Sequence, residues 1–177
     1  MVDWSSPWPE QDATLEIDTS TKKEGHASLK ITGKTDSWGN LGVRYDSLGT
    51  WNLSEYSSIS LWAKCNTTAS FSITLRDSSG ETRTFWSIKV GDSSATAAWK
   101  RFVLNLDNYT SQTAGFNISM VDRIELYVSS HVAKHMSFWV DDLTVDTSLG
   151  LGNFVYKGRV PVNETVVAHF YIRIKDE

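Results

Sequence analysis

The sequence predicts an all-β domain, a two-sheet antiparallel β-sandwich of jelly-roll type. Three observations lead to this prediction. Apolar residues alternate with polar ones in one segment after another, which is typical of half-buried strands. No window shows the sustained 3.6-residue period of an amphipathic helix. The segments are short and are separated by turn residues at intervals typical of sandwiches.

Alternation and turn residues place nine strands along residues 13–146. The predicted strands are 13–18, 27–33, 40–46, 58–65, 69–77, 82–90, 100–106, 122–128 and 137–146. Most have apolar residues at every second position, as at Ile59, Leu61 and Ala63. The turns are indicated by clusters of Gly, Asp and Ser and by a long polar stretch at 107–121. Segment 52–58 is expected to hold one helical turn at most.

The chain divides into three parts. Residues 1–12 are an N-terminal segment, residues 13–146 the sandwich, and residues 147–177 a linker with two further extended segments. Because an isolated hairpin is only marginally stable in water, those two segments are expected to pack on a larger body. They either complete the same sandwich as an extra strand pair or form an assembly arm that extends a partner's sheet.

Composition and charge exclude several classes of function. The chain has 177 residues, a net charge of −4 and scattered basic residues, so it lacks the basic face that nucleic-acid binding requires. No apolar run is long enough for membrane insertion, and the first residues lack the features of a signal peptide. We therefore expect either a secreted protein whose signal has been removed or one that leaves the cell by another route, such as in a virion.

The single cysteine and the Asn-x-Ser/Thr patterns bear on the compartment. Cys65 cannot form an internal disulfide and is expected to be a small buried residue. Five acceptor patterns favour an extracellular setting. They begin at Asn52, Asn66, Asn108, Asn117 and Asn163.

Two adjacent carboxylates, Asp141 and Asp142, interrupt the apolar strand 137–146. Burying an unpaired carboxylate costs several kcal/mol, so a compensating partner is expected. A calcium ion would serve if the first and last strands are neighbours, because Glu16, Asp18 and the carbonyls of the 23–25 turn would then be close by. The alternative is a β-bulge, with one aspartate in solvent and the other hydrogen-bonded to backbone.

Eight tryptophans are several times the ordinary number for this length. Some aromatic residues fall out of phase with the core face of their strand, among them Trp62, Phe85 and Tyr127. Aromatic rings beside fixed polar groups suit a sugar, which has an apolar face and a rim of hydroxyls. The candidate ligand-binding residues are Trp38, Arg44, Trp62, Arg76, Phe85, Trp86, Glu125 and Tyr127. Alternatively, the same aromatics form an interface with residues 153–175 or with another subunit.

Catalytic motifs are missing from the sequence. There is no Gly-x-Ser-x-Gly elbow, no phosphate-binding Gly-rich loop and no His-Glu-x-x-His, and the four histidines stand apart. A protein that is not an enzyme is therefore expected.

Five short motifs in a fixed order carry a family resemblance. They are "EGHASLKI", "WNLSEYSSISLWAK", "AAWKRFVLNL", "VDRIELYV" and "FWVDDLTV". Over residues 13–146 the chain resembles the carbohydrate-binding modules of the galactose-binding-like β-sandwich superfamily. The resemblance implies a structural calcium held by Glu16 or Asp18, by the carbonyls of Lys23 and Glu24, and by Asp141 with Asp142 as second choice.

These observations predict non-catalytic binding of a polysaccharide or other glycan through an aromatic-lined face of a calcium-stabilised sandwich. The alternative is a structural subunit of an extracellular or virion assembly, in which residues 147–177 contact copies of the chain or other subunits. The aromatic excess favours the first hypothesis. The missing signal peptide and the extra strands favour the second.

Overall fold

The computed structural model describes residues 4–5, 12–34, 40–89, 98–130 and 135–146, which form two antiparallel β-sheets around a shared core. This confirms the predicted sandwich. The strands are β1 (Trp4–Ser5), β2 (Asp12–Asp18), β3 (Ser28–Lys34), β4 (Asn40–Trp51), β5 (Ser58–Cys65), β6 (Ser70–Asp77), β7 (Thr82–Lys89), β8 (Lys100–Asn105), β9 (Ser111–Gln112), β10 (Val121–Ser129) and β11 (His135–Asp146).

The strands divide between two sheets. The front sheet has the order β1-β4-β10-β6-β7-β9, and the back sheet has the order β2-β3-β11-β5-β8. The first and last long strands of the back sheet, β2 and β11, are separated only by β3. The two acidic ends of the domain are therefore in the same sheet, but the first and last strands are not the direct neighbours that the calcium hypothesis assumed.

Alternation along the strands sets the core. On β5, Leu61 and Cys65 are at most 1% exposed and face inward, whereas Trp62 and Lys64 between them are partly exposed. Phe71 of the front sheet contacts the back sheet directly, because its ring centroid lies 5.4 Å from that of Phe138 and 6.0 Å from that of Phe102. Such inward faces from both sheets close the interior.

The structure departs from the prediction at strand ends and edges. Strand β4 continues to Trp51, and the polar stretch 107–121 contains the short strand β9 and a 3-10 helix, Ile118–Met120. Segment 52–58 contains a turn but no helix. Ile17, expected inside, is 52% exposed because β2 is the edge strand of its sheet. The extended segments expected within 147–177 lie outside the described residues.

Asp77 ties the β6–β7 turn to the segment before β10. Its Oδ1 accepts hydrogen bonds from the N–H groups of Ser79 and Glu81 at 2.9 and 3.0 Å, and its Oδ2 accepts one from Asn117 N–H at 2.7 Å. Burial alone would raise the pKa of this carboxyl, but the backbone donors outweigh burial and lower it. Asp77 is therefore a buried structural anion.

Candidate functional site

Charged side chains cross the outer surface of the front sheet, which we call the front face. Antiparallel register places Arg44 of β4 opposite Glu125 of β10. One row along, Asp46 lies opposite Arg123, and Arg123 lies opposite Arg76 of β6. Because directly opposed side chains on one face of a sheet are neighbours, these groups are within reach of one another.

A network of ion pairs and hydrogen bonds holds these groups in place. Arg44 Nε lies 3.0 Å from Asp46 Oδ2, and Arg123 Nε donates to Asp46 Oδ1. Arg123 Nη1 lies 3.7 Å from Glu125 Oε1, while the Tyr127 hydroxyl donates to Glu125 Oε2. Burial raises the pKa of Tyr127 well above its usual range, and the bond to Glu125 adds to this shift. The phenol therefore stays protonated as a fixed donor.

Two aromatic residues flank the small side chain of Ser72 beside this network. Tyr127 lies opposite Gly42 of β4 on one side and Ser72 of β6 on the other. Ser72 faces an irregularity in β7, where Phe85 points inward and Trp86 follows it with 54% exposure. Trp86 and Tyr127 thus stand two strands apart, about 10 Å at the usual strand spacing.

Asp46 and Arg123 were not among the predicted site residues. A signal for them exists, because Arg44 and Asp46 on β4 and Arg123 and Glu125 on β10 are spaced i, i+2. This spacing puts both members of each pair on one face. Opposite charges on two strands at that spacing therefore indicate a charged face where the strands pair.

The assignment of Phe85 to the ligand face is wrong. Phe85 is 3% exposed and belongs to the core. Phe85 is spaced i, i+2 from Arg83, and a charged residue at that spacing predicts a polar face, but Arg83 also points inward, at the end of the sandwich. Its guanidinium lies 4.7 Å from the Tyr109 ring and 4.9 Å from the Phe116 ring, and donates to the Leu106 carbonyl.

Three other predicted ligand residues occupy different places. Trp62 belongs to β5 of the back sheet, and Lys23 Nζ lies 4.5 Å from the centroid of its ring, so Trp62 does not share the front face. Arg76 does lie on the front face, with its guanidinium against Gly80. Trp38 lies outside the described residues.

Asp141 receives its compensation from backbone N–H groups. It is 4% exposed, and its Oδ2 accepts hydrogen bonds from the N–H groups of Lys23 at 2.7 Å and Glu24 at 2.9 Å. The register of β11 against β5 shifts between Asp141 and Thr144, and Asp142 has a positive φ of 49°. The bulge that the sequence left open as an alternative is therefore present.

Glu16 and Asp18 have partners of their own. Glu16 forms an ion pair with Lys30. Asp18 Oδ1 accepts hydrogen bonds from the Ser20 hydroxyl and the Thr21 N–H, and its Oδ2 accepts one from the Trp139 indole at 2.9 Å. The Ser20 hydroxyl, followed by the Thr21 and Trp139 donors, holds the pKa of Asp18 well below its usual range.

These contacts give no support to the predicted calcium site. Calcium takes six to eight oxygen ligands, but the 23–25 turn directs N–H groups, not carbonyls, at Asp141. Among the described residues, no three His, Cys, Asp or Glu side chains come together as a metal-binding group. The predicted calcium ion therefore stays a prediction, which a chelation experiment tests.

Comparison with known protein families identifies the chain. Residues 2–147 match the family model described as carbohydrate binding domain 30. The chain belongs to this family. Carbohydrate binding without catalysis is therefore the function of the domain, in agreement with the resemblance found in the sequence.

Solved structures of low sequence identity share the fold. A family 11 carbohydrate-binding module from a cellulosomal cellulase of Clostridium thermocellum aligns with a TM-score of 0.63 at 15% identity, covering 86% of this chain and 92% of the module. A family 30 module from another cellulosomal cellulase of the same organism aligns with a TM-score of 0.60 at 18% identity, covering 82% and 90%.

Larger proteins contain a similar domain. An exo-β-agarase aligns with a TM-score of 0.57 at 15% identity, covering 81% of this chain but only 23% of the agarase. No curated protein matches the sequence. In the described segments, no helix has the length and apolar character of a membrane span.

Proposed function

We propose that the front face binds a β-linked glucan, with Trp86 and Tyr127 contacting the apolar faces of sugar rings. The observation that carries the proposal is the arrangement of these two aromatics on either side of Ser72, beside the fixed polar groups of Arg44 and Glu125. A structure of a family 11 module was determined with a β-1,3-1,4-mixed-linked tetrasaccharide, and its similarity in fold supports the ligand class.

The ion-pair network supports specific recognition of hydroxyl groups. Arg44 is held by Asp46 of β4, and Glu125 by Arg123 and Tyr127 of β10, so little side-chain entropy remains to be lost when a sugar hydroxyl binds. Ser72, which lies between the strands of the two aromatics, is small and only partly buried. A glycan chain lying across the strands would contact both aromatics and this polar centre together.

We also propose that this face lacks hydrolytic activity. Glycosidases need one carboxyl that is protonated and one that acts as a base or nucleophile. The ion-pair network of the front face contains two carboxylates, Asp46 and Glu125. Each of them is paired with arginine. The guanidinium groups thus occupy carboxylate oxygens that a hydrolytic mechanism would need.

Family membership further supports an extracellular setting, because the polysaccharides that such domains bind lie outside the cell. No contact among the described residues favours the structural-subunit alternative. The segments on which that alternative depends, 147–177, lie beyond the described part.

Affinity electrophoresis and calorimetry with mixed-linkage β-glucan test the proposal. A tryptophan side chain buries about 200 Å² when covered, and Trp86 is 54% exposed. A sugar ring can thus cover about 100 Å², worth about 2.5 kcal/mol before ordering costs. We expect Trp86→Ala to weaken binding at least about tenfold without lowering the melting temperature.

Val103→Ala is the matched control, because Val103 is exposed on β8 of the back sheet. This variant is expected to bind as the wild type does. Absence of wild-type binding to every β-glucan, or equal affinities of the Trp86→Ala and wild-type proteins, would reject the proposed ligand face.

A further inference from the structure

Tryptophan and lysine side chains interleave on the outer surface of the back sheet, which we call the back face. Register places Lys64 of β5 directly opposite Trp139 of β11. Lys64 Nζ lies 5.0 Å from the Trp139 ring centroid and 6.0 Å from that of Trp99. Trp62 lies two residues before Lys64 on β5, and Lys23 Nζ, from the turn between β2 and β3, lies 4.5 Å from its ring centroid.

These aromatic contacts hold the two ammonium groups in defined positions. A cation within about 6 Å of an indole centroid is attracted by the ring. The long lysine side chains thus lose mobility before any ligand arrives, which lowers the entropic cost of binding. An ammonium group has three N–H donors. An aromatic ring attracts its positive charge but does not accept hydrogen bonds from all three donors. Lys23 and Lys64 therefore keep donors for an anion.

The back face is basic around β5 and β8 although the whole chain carries a net charge of −4. Arg101 of β8 lies opposite Trp62, is exposed and forms no ion pair among the described residues. The nearest carboxylate in register, Asp141, is buried and already accepts two backbone N–H bonds. On the other side of Trp139, Asp18 accepts the indole N–H and Glu16 pairs with Lys30, so the negative charge of the back face lies toward β2. The attraction of an anionic partner is therefore strongest on the β5–β8 side.

We propose that the back face is a second binding site, for an acidic polysaccharide whose carboxylates are repeated along the chain. Successive outward positions of β5 are about 7 Å apart, so Lys23 over Trp62 and Lys64 beside Trp139 form a short linear array. Such an array matches a polymer with regularly spaced charges. The exposed indole edges add apolar surface for sugar C–H groups. The site lies on the opposite sheet from the front face and does not depend on it.

Electrophoresis of the full chain in gels that contain polygalacturonate tests this site. We expect retardation of the wild type that weakens as sodium chloride is raised. Lys64→Gln and, separately, Lys23→Gln should each weaken the interaction about three- to tenfold. Lys34→Gln, which removes the same charge from an exposed position on β3, should leave it unchanged. All three variants should bind mixed-linkage β-glucan as the wild type does.

Three results would overturn the proposal. The first is that polygalacturonate does not retard the wild type. The second is that Lys34→Gln and Lys64→Gln weaken polygalacturonate binding equally. The third is that poly-glutamate retards the wild type as strongly as polygalacturonate does, which would indicate a general affinity for polyanions. Gels with β-glucan distinguish failure of this proposal from failure of the proposed function of the front face. Trp86→Ala should lose β-glucan binding and keep polygalacturonate binding.

Discussion

Asp141→Ala tests how the buried carboxylate of β11 is stabilised. The substitution removes an acceptor of two backbone N–H bonds, from Lys23 and Glu24. A hydrogen bond to a charged group contributes about 1.5–3 kcal/mol, but Lys23 is exposed and Glu24 half-buried, so water recovers part of the loss. We expect the free energy of unfolding to fall by about 3 kcal/mol, a drop in melting temperature of about 6–12 °C for a chain of this size.

Urea unfolding followed by tryptophan fluorescence measures this loss, with Asp141→Asn as the matched control. Asparagine keeps one oxygen acceptor and loses only the charge, so it should cost about half as much as alanine. A loss below about 1 kcal/mol for Asp141→Ala would show that the two N–H bonds do not hold the turn.

The same melts, recorded with a chelator and with added calcium, test the predicted ion. An ion that binds only the folded state stabilises it by mass action. If the N–H bonds alone compensate Asp141, chelation leaves the wild-type melting temperature unchanged. A decrease on chelation that Asp141→Ala abolishes would instead establish calcium at this turn.

Two further predictions concern the turn after β6. Gly80 has a φ of +91°, and an added Cβ would lie 3.0 Å from Arg76 Nη2. Gly80→Ala should therefore lower the free energy of unfolding in urea by about 1–2 kcal/mol. A urea midpoint equal to that of the wild type would contradict this. The lowered pKa of Asp77 means that the folded state binds its proton less readily than the unfolded state, which titrates near pH 4. Stability from Asp77 is thus present above about pH 4 and is lost as pH falls further, and Asp77→Asn should show a weaker acid dependence than the wild type.

Strand alternation could be predicted from sequence because it reflects burial directly. Ile59, Leu61 and Ala63 face inward as expected, since any other phase would place Trp62 and Lys64 in the core. The failure at Phe85 has a physical cause. At the end of a sandwich a long polar side chain such as Arg83 can point inward and be covered by a loop, so its polarity does not reveal its face.

Which sheet a strand joins is beyond a one-dimensional pattern. Trp62 and Tyr127 both face outward, but β5 and β10 belong to different sheets, so the two rings cannot form one site. The hydrogen-bond partners of Asp141 could not be predicted from the sequence either. Spacing predicted that the 23–25 turn approaches it, but the direction of the peptide groups decides between carbonyls for a cation and N–H groups for the carboxylate itself.

The burial of Cys65 has a practical consequence. It is the sole cysteine of the chain, it is 0% exposed, and it is the last residue of β5. A thiol reagent can modify it only when the interior opens, so the rate of modification under native conditions reports the population of opened molecules. The modification rate of Cys65 can thus rank the stabilities of the variants above without a probe attached to either outer surface.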